Sequence, residues 1–245
     1  MRQIGAGFLI GIMKSVSSYN IIGDIHARTC WKNLVREDSV NIFVGDYFDS
    51  YEYIPPSEQM SNFQELLAFK RQHPETVLLY GNHDLHYMIA NEHYSRYDVF
   101  SANNYWHAFL DSRSLFHGVA YPIEDKALVT HAGVTRDWYE KYIGIYHSES
   151  LAEVARRINA LWNTDKQAFA FETNATGWED HYGTSPTHSP VWIRPWVLKE
   201  HDLFAGTGIK QIFGHTQTEA GVMSDCNLIC VDCLGTKEKS YMIEA

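Results

Sequence analysis

Short apolar runs alternate with stretches in which apolar residues recur every three or four positions. Tyr19 to Ile22, Val40 to Val44 and Val77 to Leu79 are each bounded by turn-forming residues, the pattern of buried strands. Between them Thr29 to Arg36 fits a short helix. Ser57 to His73 fits a longer one, with Phe63, Leu66, Leu67 and Phe69 on its apolar face and Ser57 placed as its cap. Strand, loop and helix in repetition predict α/β layers. Asp84 to Phe116 reads as helical, with Tyr94, Tyr97, Phe100, Tyr105, Trp106, Phe109 and Phe116 fitting core or cap packing rather than ligand contact.

Val119 to Ile123 and Ala127 to Thr130, separated by Glu124-Asp125-Lys126, predict a hairpin that ends at His131. Helices are expected at Thr135 to Tyr142 and Glu149 to Ala168, and strands at Ile209 to Phe213, Asn227 to Val231 and Tyr241 to Glu244. Glu172 to Pro190 lacks periodicity and is rich in Gly, Thr, Pro, His and Asn; a loop of that length is usually functional or mobile. Residues 1–18 read as an N-terminal extension, disordered or dispensable, with Met13 as an alternative start, ahead of one domain over 19–245. The apolar Ile4 to Met13 is too short to span a bilayer and no good cleavage site follows it.

Composition narrows the function classes. The 245 residues suffice for a substantial core, and 45% hydrophobic with 14% aromatic residues argues against disorder. A formal charge of −10 offers no basic field for a nucleic-acid backbone. Cys30, Cys226, Cys230 and Cys233 contain one C-x-x-C pair without a second at zinc-finger spacing; its apolar surroundings favour core thiols and a reducing, cytoplasmic setting. The sequon Asn174-Ala175-Thr176 would matter only in a secretory context.

The chemistry is concentrated in turns. Gly23-Asp24-Ile25-His26, Gly45-Asp46-Tyr47-Phe48-Asp49 and Gly81-Asn82-His83-Asp84 each follow one of the first three apolar runs, and His131-Ala132-Gly133 and Gly214-His215-Thr216 come later. Strand ends converge loops on one crevice in open α/β sheets. The glycines allow sharp turns there. Hard oxygen and imidazole ligands gathered in this way read as a two-metal hydrolytic site, in which a bridging carboxylate holds two cations about 3.5–4 Å apart. Asp46 is the candidate bridge.

The order D-x-H, G-D-x-x-D, G-N-H-D, H-A-G and G-H-T resembles the calcineurin-like metallophosphoesterase superfamily over Tyr19 to about Thr218. The resemblance implies a four-layer αββα sandwich and hydrolysis of a phosphoester by a metal-bound hydroxide. It implies that Asp24 and His26 join Asp46 on one metal, and Asn82, His131 and His215 join it on the other. The ligand set suits Mn²⁺ best, with Fe or Zn²⁺ as alternatives. His83 matches the general acid, with Asp84 expected to orient it and stabilise its protonated form. Asp49 is expected to support the site by hydrogen bonding to the ligands or to His83.

Arg194, in Trp192-Ile193-Arg194, resembles the phosphate-binding arginine of the phosphoprotein phosphatase branch. His117 reads as structural, whereas His181 and His188 lie where they could touch substrate. Departures from that branch are plain: Asp49-Ser50-Tyr51 replaces Asp-Arg-Gly, and Tyr80-Gly81-Asn82-His83-Asp84 replaces Arg-Gly-Asn-His-Glu, which removes two phosphate-gripping arginines. Gln217 stands where phosphodiesterase relatives carry a second metal histidine. Arg194 and Gln217 favour phosphomonoesters, phosphoproteins included, as substrates. The alternatives are a dinucleoside polyphosphate or other phosphodiester, or a metal-stabilised scaffold without catalysis, against which intact His83 stands. No membrane partner is expected.

Overall fold

The computed structural model describes residues 17–90, 92–171 and 183–245. Two mixed sheets pack face to face. The first is built from β1 (Ser18–Ile22), β2 (Val40–Phe43), β3 (Val77–Leu78) and β9 (Tyr241–Glu244), ordered β3-β2-β1-β9, with β9 antiparallel to β1 and the rest parallel. The second contains β4 (Ala120–Ile123), β5 (Ala127–Thr130), β6 (Lys210–Phe213), β7 (Met223–Asp225) and β8 (Leu228–Cys230), ordered β4-β5-β6-β8-β7. In it β5, β6 and β8 run parallel and the two edge strands run antiparallel. Pro122 lies in edge strand β4, where a missing N–H is tolerated.

Side-chain alternation explains the layers. Ile21, Ile42, Val77, Val129, Ile212 and Ile229 meet in a cluster shared by both sheets, while their neighbours Ile22, Phe43, Leu78 and Leu128 face outward into a helix-covered core. Strands apolar on both faces must be covered on both, and the continuous apolar runs of the sequence carry this requirement. Helix α2 (Pro56–Gln72) puts Phe63, Leu66 and Leu67 into the outer core on one side. Helices α5 (Arg136–Tyr142) and α6 (Leu151–Thr164) supply Trp138, Tyr139, Val154, Ile158 and Trp162 to the same core. Helix α7 (Pro195–His201) covers Phe213, Leu228 and Cys230 with Val197 and Leu198.

Two buried polar residues stitch the first sheet. Asn20 and Asn41 are paired across β1 and β2, joined by a 2.8 Å hydrogen bond, and their remaining donors go to the carbonyls of Leu34 and Arg36. That ties the end of α1 (Trp31–Leu34) to the sheet.

Several expectations need correction. The helix over Asp84 to Phe116 is in fact a single turn, α3 (Asn82–Leu85), a run of turns, and α4 (Ala102–Ser112). Arg96 breaks continuity by adopting φ 67°, a left-handed conformation incompatible with a helix interior. α2 is not capped by Ser57: it starts at Pro56, whose fixed φ suits the first helical position. α6 stops at Thr164 and a 3₁₀ turn, Lys166–Phe169, follows. Its Ser150 cap accepts the Glu153 N–H. The edge strand β7 is exposed along its length and has no apolar alternation, so no periodicity announced it. Residues 1–16, Asn174, His181 and most of the Glu172 to Pro190 loop lie outside the described residues. No helix among the described residues is long and apolar enough to cross a membrane.

Candidate active site

The loops after β1, β2, β3, β5 and β6 converge at the carboxyl ends of the strands. Asp24, His26, Asp46, Asn82 and His131 are all buried there, and His215 closes the group. Asp46 is central: its Oδ2 lies 3.5 Å from His26 Nε2 and 3.4 Å from His131 Nε2. His131 Nδ1 lies 4.0 Å from Asp24 Oδ1, while Asn82 Oδ1 is 2.8 Å from His131 Nε2 and 2.9 Å from His215 Nδ1.

The turns that deliver these groups are strained. His26, Asp46, Asp49 and His215 have φ of 43°, 56°, 62° and 64°, the left-handed region that L-residues rarely occupy. Such strain persists where surrounding contacts overdetermine it, and it clusters at functional sites. Asp84 provides much of that determination. Its carboxylate accepts the backbone N–H groups of Gly81 at 2.7 Å and of Asp46 and Tyr47 at 2.9 Å each. Gly81 itself is required by space rather than by its dihedral: a Cβ there would meet Asp46 Oδ1 at 2.1 Å and the His131 ring at 2.8 Å.

The expectation that Asp84 orients His83 is therefore corrected. Its oxygens are occupied by backbone amides, and the partner of His83 Nδ1 is Asp49 Oδ2, at 3.0 Å. Asp49 is fixed in turn by its own amide, which donates to Gln59 Oε1 at 3.0 Å.

Electrostatics at the cluster favour a bound cation. Burial, followed by Asp232 and Asp24 respectively, pushes Asp24 and Asp46 well above the usual carboxylate range. Burial pulls His131 down to about 3 and holds His26 and His215 well below the usual imidazole range. Neutral imidazoles and crowded carboxylates in a dry pocket are the donor set that a divalent cation stabilises. His26 and His131 direct Nδ1 to the carbonyls of Phe48 and Val44, at 3.1 and 2.9 Å, which leaves each Nε2 lone pair turned to Asp46. His215 Nε2 is buried and has no hydrogen-bond partner among the described residues. Asp24, Asp46 and His131 form one set whose ligand atoms lie within 4.8 Å of one another, and His26, Asp46 and His83 form another. The residues thus fit metal.

Beside the cluster lies a cavity of about 360 Å³ lined by Tyr51, His83, Tyr94, Trp192, Arg194 and His215, among others. The Arg194 guanidinium donates to the His215 carbonyl at 3.3 Å and to Thr216 Oγ1 at 3.2 Å, which anchors it at the rim. His188 is buried against Phe171 and is not among the lining residues; His117 packs on Tyr121 at a different cavity. All four cysteines are free, and burial pushes Cys230 up to about 12, so its thiol is inert packing.

Sequence reasoning missed His86 and Asp232. His86 is buried with its Nε2 2.6 Å from Asp49 Oδ2, and the spacing His83-x-x-His86 was the signal. Asp232 is 5% exposed beside Asp24, and burial raises it to about 6. A carboxylate following a buried strand, where charge is rarely buried unpaired, was its signal.

The chain belongs to the calcineurin-like phosphoesterases, whose family model matches residues 19–219. Among solved structures it is similar to a protein serine/threonine phosphatase from Saccharomyces cerevisiae, itself described as similar to human phosphatase PP5, with a TM-score of 0.52 and 18% identity over 89% of this chain and 67% of that one. At that identity the likeness is one of fold. No curated protein sequence matches the chain.

Proposed function

We propose that this protein is a dimetal phosphomonoesterase, with phosphoproteins among its substrates. The observation that carries the reading is the convergence of Asp24, His26, Asp46, Asn82, His131 and His215 beside a hydrogen-bonded His83–Asp49 couple that opens on a cavity. Asp46, between His26 and His131, would serve as the shared ligand, and Asp24, His26, Asn82, His131 and His215 would complete the set that holds the cations. Bound divalent cations, Mn²⁺ foremost, would neutralise phosphoryl charge and acidify water in this pocket.

The remaining work falls to the chain. Arg194 grips phosphoryl oxygens from the rim with a planar pair of donors. His83, oriented through Nδ1 by Asp49, holds a proton on Nε2 for the departing oxygen. Asp84 keeps the Gly45–Tyr47 and Gly81–Asn82 turns locked together, so that ligand positions survive substrate exchange. Tyr51, edge-on to His26 and His83 at 5.0 and 6.2 Å, narrows the approach to both.

The test is a metal-reconstituted assay of an aryl monoester, an aryl diester, a nucleotide and a phosphopeptide, with Asp46→Asn as control. Turnover led by monoesters, together with loss of metal and activity in Asp46→Asn, is expected. Full metal occupancy and ordinary activity in the variant would remove Asp46 from the bridge, and a preference for the diester would move the substrate class.

A further inference from the structure

The mouth of the active-site cavity carries a second arginine. Arg96 holds its guanidinium carbon over the ring of Tyr51, 5.3 Å from the centroid, within the range in which a cation and an aromatic face attract. Tyr51 lines the cavity, and its ring lies edge-on to His26 and His83 at 5.0 and 6.2 Å. Arg96 is thus one ring removed from two residues of the proposed site. Tyr94 and Ser95, which precede it, line the same cavity, so its own loop forms part of the wall.

The surroundings leave this cation uncompensated. Among the described residues the exposed Arg96 side chain has no carboxylate partner and no hydrogen-bond acceptor, although the chain holds 30 acidic against 20 basic residues. The acids of its own loop are engaged elsewhere. Glu92 receives the Tyr94 hydroxyl and the Gln167 amide, and Asp98 accepts the Phe100 and Ser101 amides at 3.0 and 3.3 Å. Arg96 also occupies the left-handed region, φ 67°, which a non-glycine residue rarely holds unless its surroundings fix it. The side-chain contact made from that turn is the one with Tyr51. An aromatic face takes up the charge of a guanidinium but not its planar fork of N–H donors, which stays open to an anion arriving at the mouth.

We propose that Arg96, seated on Tyr51, is a specificity-determining residue that binds a second anionic group of the substrate, and that the preferred substrate is a phosphopeptide with an acidic side chain within two residues of the phosphorylated one. Arg194 takes the reacting phosphoryl group and Arg96 the flanking carboxylate. An extended peptide advances about 3.3–3.6 Å per residue, so one or two residues cover the width of the intervening ring. Arg96 also covers a face of Tyr51 on which a nucleobase could otherwise stack, which favours a peptide over a nucleotide. The inference rests on the phosphomonoesterase reading above and names the substrate class within it.

The experiment uses phosphoserine peptides that carry a single glutamate at each position from two before to two after the phosphoserine, beside an alanine parent, at saturating metal. For the wild type, glutamate at one or more of these positions should lower KM about 5-fold with kcat little changed, the scale of an exposed ion pair and the sign of binding shared by ground and transition states. The preference should shrink as salt rises. Arg96→Gln should abolish it while turnover of the alanine peptide and of an aryl phosphate stays at the wild-type level. Tyr51→Leu, which removes the ring, should reduce the ratio between glutamate and alanine peptides whatever it does to their common rate, and Tyr51→Phe should keep the ratio. Absence of a glutamate preference in the wild type, or an undiminished preference in Arg96→Gln, would overturn the proposal. Faster turnover of a nucleoside monophosphate than of every glutamate peptide would overturn it too, in favour of nucleotides. Binding of the same peptides with a phosphonate in place of the phosphate, followed by fluorescence anisotropy, separates this from the broader reading. If the wild type cleaves no phosphoester, that reading fails, while tighter binding of the glutamate phosphonates that is lost in Arg96→Gln supports the subsite and equal binding of glutamate and alanine phosphonates refutes it.

Discussion

Nδ1 of His83 meets Oδ2 of Asp49 at 3.0 Å, although 34 positions separate them in the chain, while Asp84, next to His83, turns its carboxylate into backbone amides. The two carboxylates therefore have different partners: Asp49 holds the His83 ring and Asp84 holds the backbone of the turns.

Under the proposed mechanism, in which Asn82 rather than His83 is the ligand from this turn, His83→Asn should keep metal and should lose roughly 10²–10⁴-fold in rate, the usual worth of a general acid. Asp49→Asn should show the same leaving-group dependence with a smaller loss, since His83 remains but is less well held. Metal analysis beside kinetics on good and poor leaving groups checks both. Loss of metal in His83→Asn would make His83 a ligand and refute the assignment.

Asp84→Asn should behave differently. An asparagine offers one acceptor oxygen where three buried N–H groups converge, and turns an NH₂ towards the rest. Hydrogen bonds to a charged acceptor contribute about 1.5–3 kcal/mol each, but part is offset because burial already raises Asp84 to about 6. A net loss of about 2 kcal/mol in denaturant unfolding is expected, with weaker metal binding and an unchanged leaving-group slope. A steeper slope at full stability would return the orienting role to Asp84.

Metal-free protein should have an unusual pH response. Asp84 and Asp232 stand at about 6, and Asp24 and Asp46 are well above the usual carboxylate range, all with burial as the leading cause. Unfolded carboxylates titrate near 4, so between about pH 4 and 6 Asp84 and Asp232 hold more protons in the folded state than in the unfolded one, whereas His26, His131 and His215, kept below the usual imidazole range by burial, hold fewer there. Stability from the carboxylates is gained as pH falls through about 6, and stability from the imidazoles is lost over the same range. A single carboxylate is therefore the cleaner probe: in chelated protein Asp232→Asn, which mimics the protonated form, should raise Tm at pH 8 and by less at pH 5.5. An equal effect at the two pH values would show that Asp232 is not raised in the folded state.

What was legible followed from local chemistry. Continuous apolar runs gave β1, β2 and β3 because both faces of each strand are buried, and Gly-Asp and Gly-Asn turns marked the ends where the site forms. β7 was invisible because an exposed edge needs no apolar pattern. The partner of His83 was misread for a geometric reason: adjacency made Asp84 the natural choice, whereas the left-handed turn at Asp49, φ 62°, swings its carboxylate back to the helix from a distant loop. His86 escaped notice because the carboxylate it lies against is brought near only by the fold.

Arg194 gives the sharpest discrimination among substrates. The two arginines expected in related phosphatases are Ser50 and Tyr80 here, and Tyr80 is buried in the aromatic core with no route to the cavity. The guanidinium of Arg194 lines that cavity and is oriented by the His215 carbonyl and Thr216. Arg194→Ala should raise KM and lower kcat/KM by about 10²-fold on an aryl monoester, equivalent to about 3 kcal/mol of transition-state stabilisation. Metal content should hold, because the arginine contacts the carbonyl of His215 and not the metal-facing atoms of its ring. An aryl diester, which carries one fewer phosphoryl charge for the clamp to grip, should lose less. Steady-state kinetics on the two substrates side by side decide the matter: an equal or greater loss on the diester, or indifference to the substitution, would place the phosphate elsewhere and make a phosphodiester the better substrate.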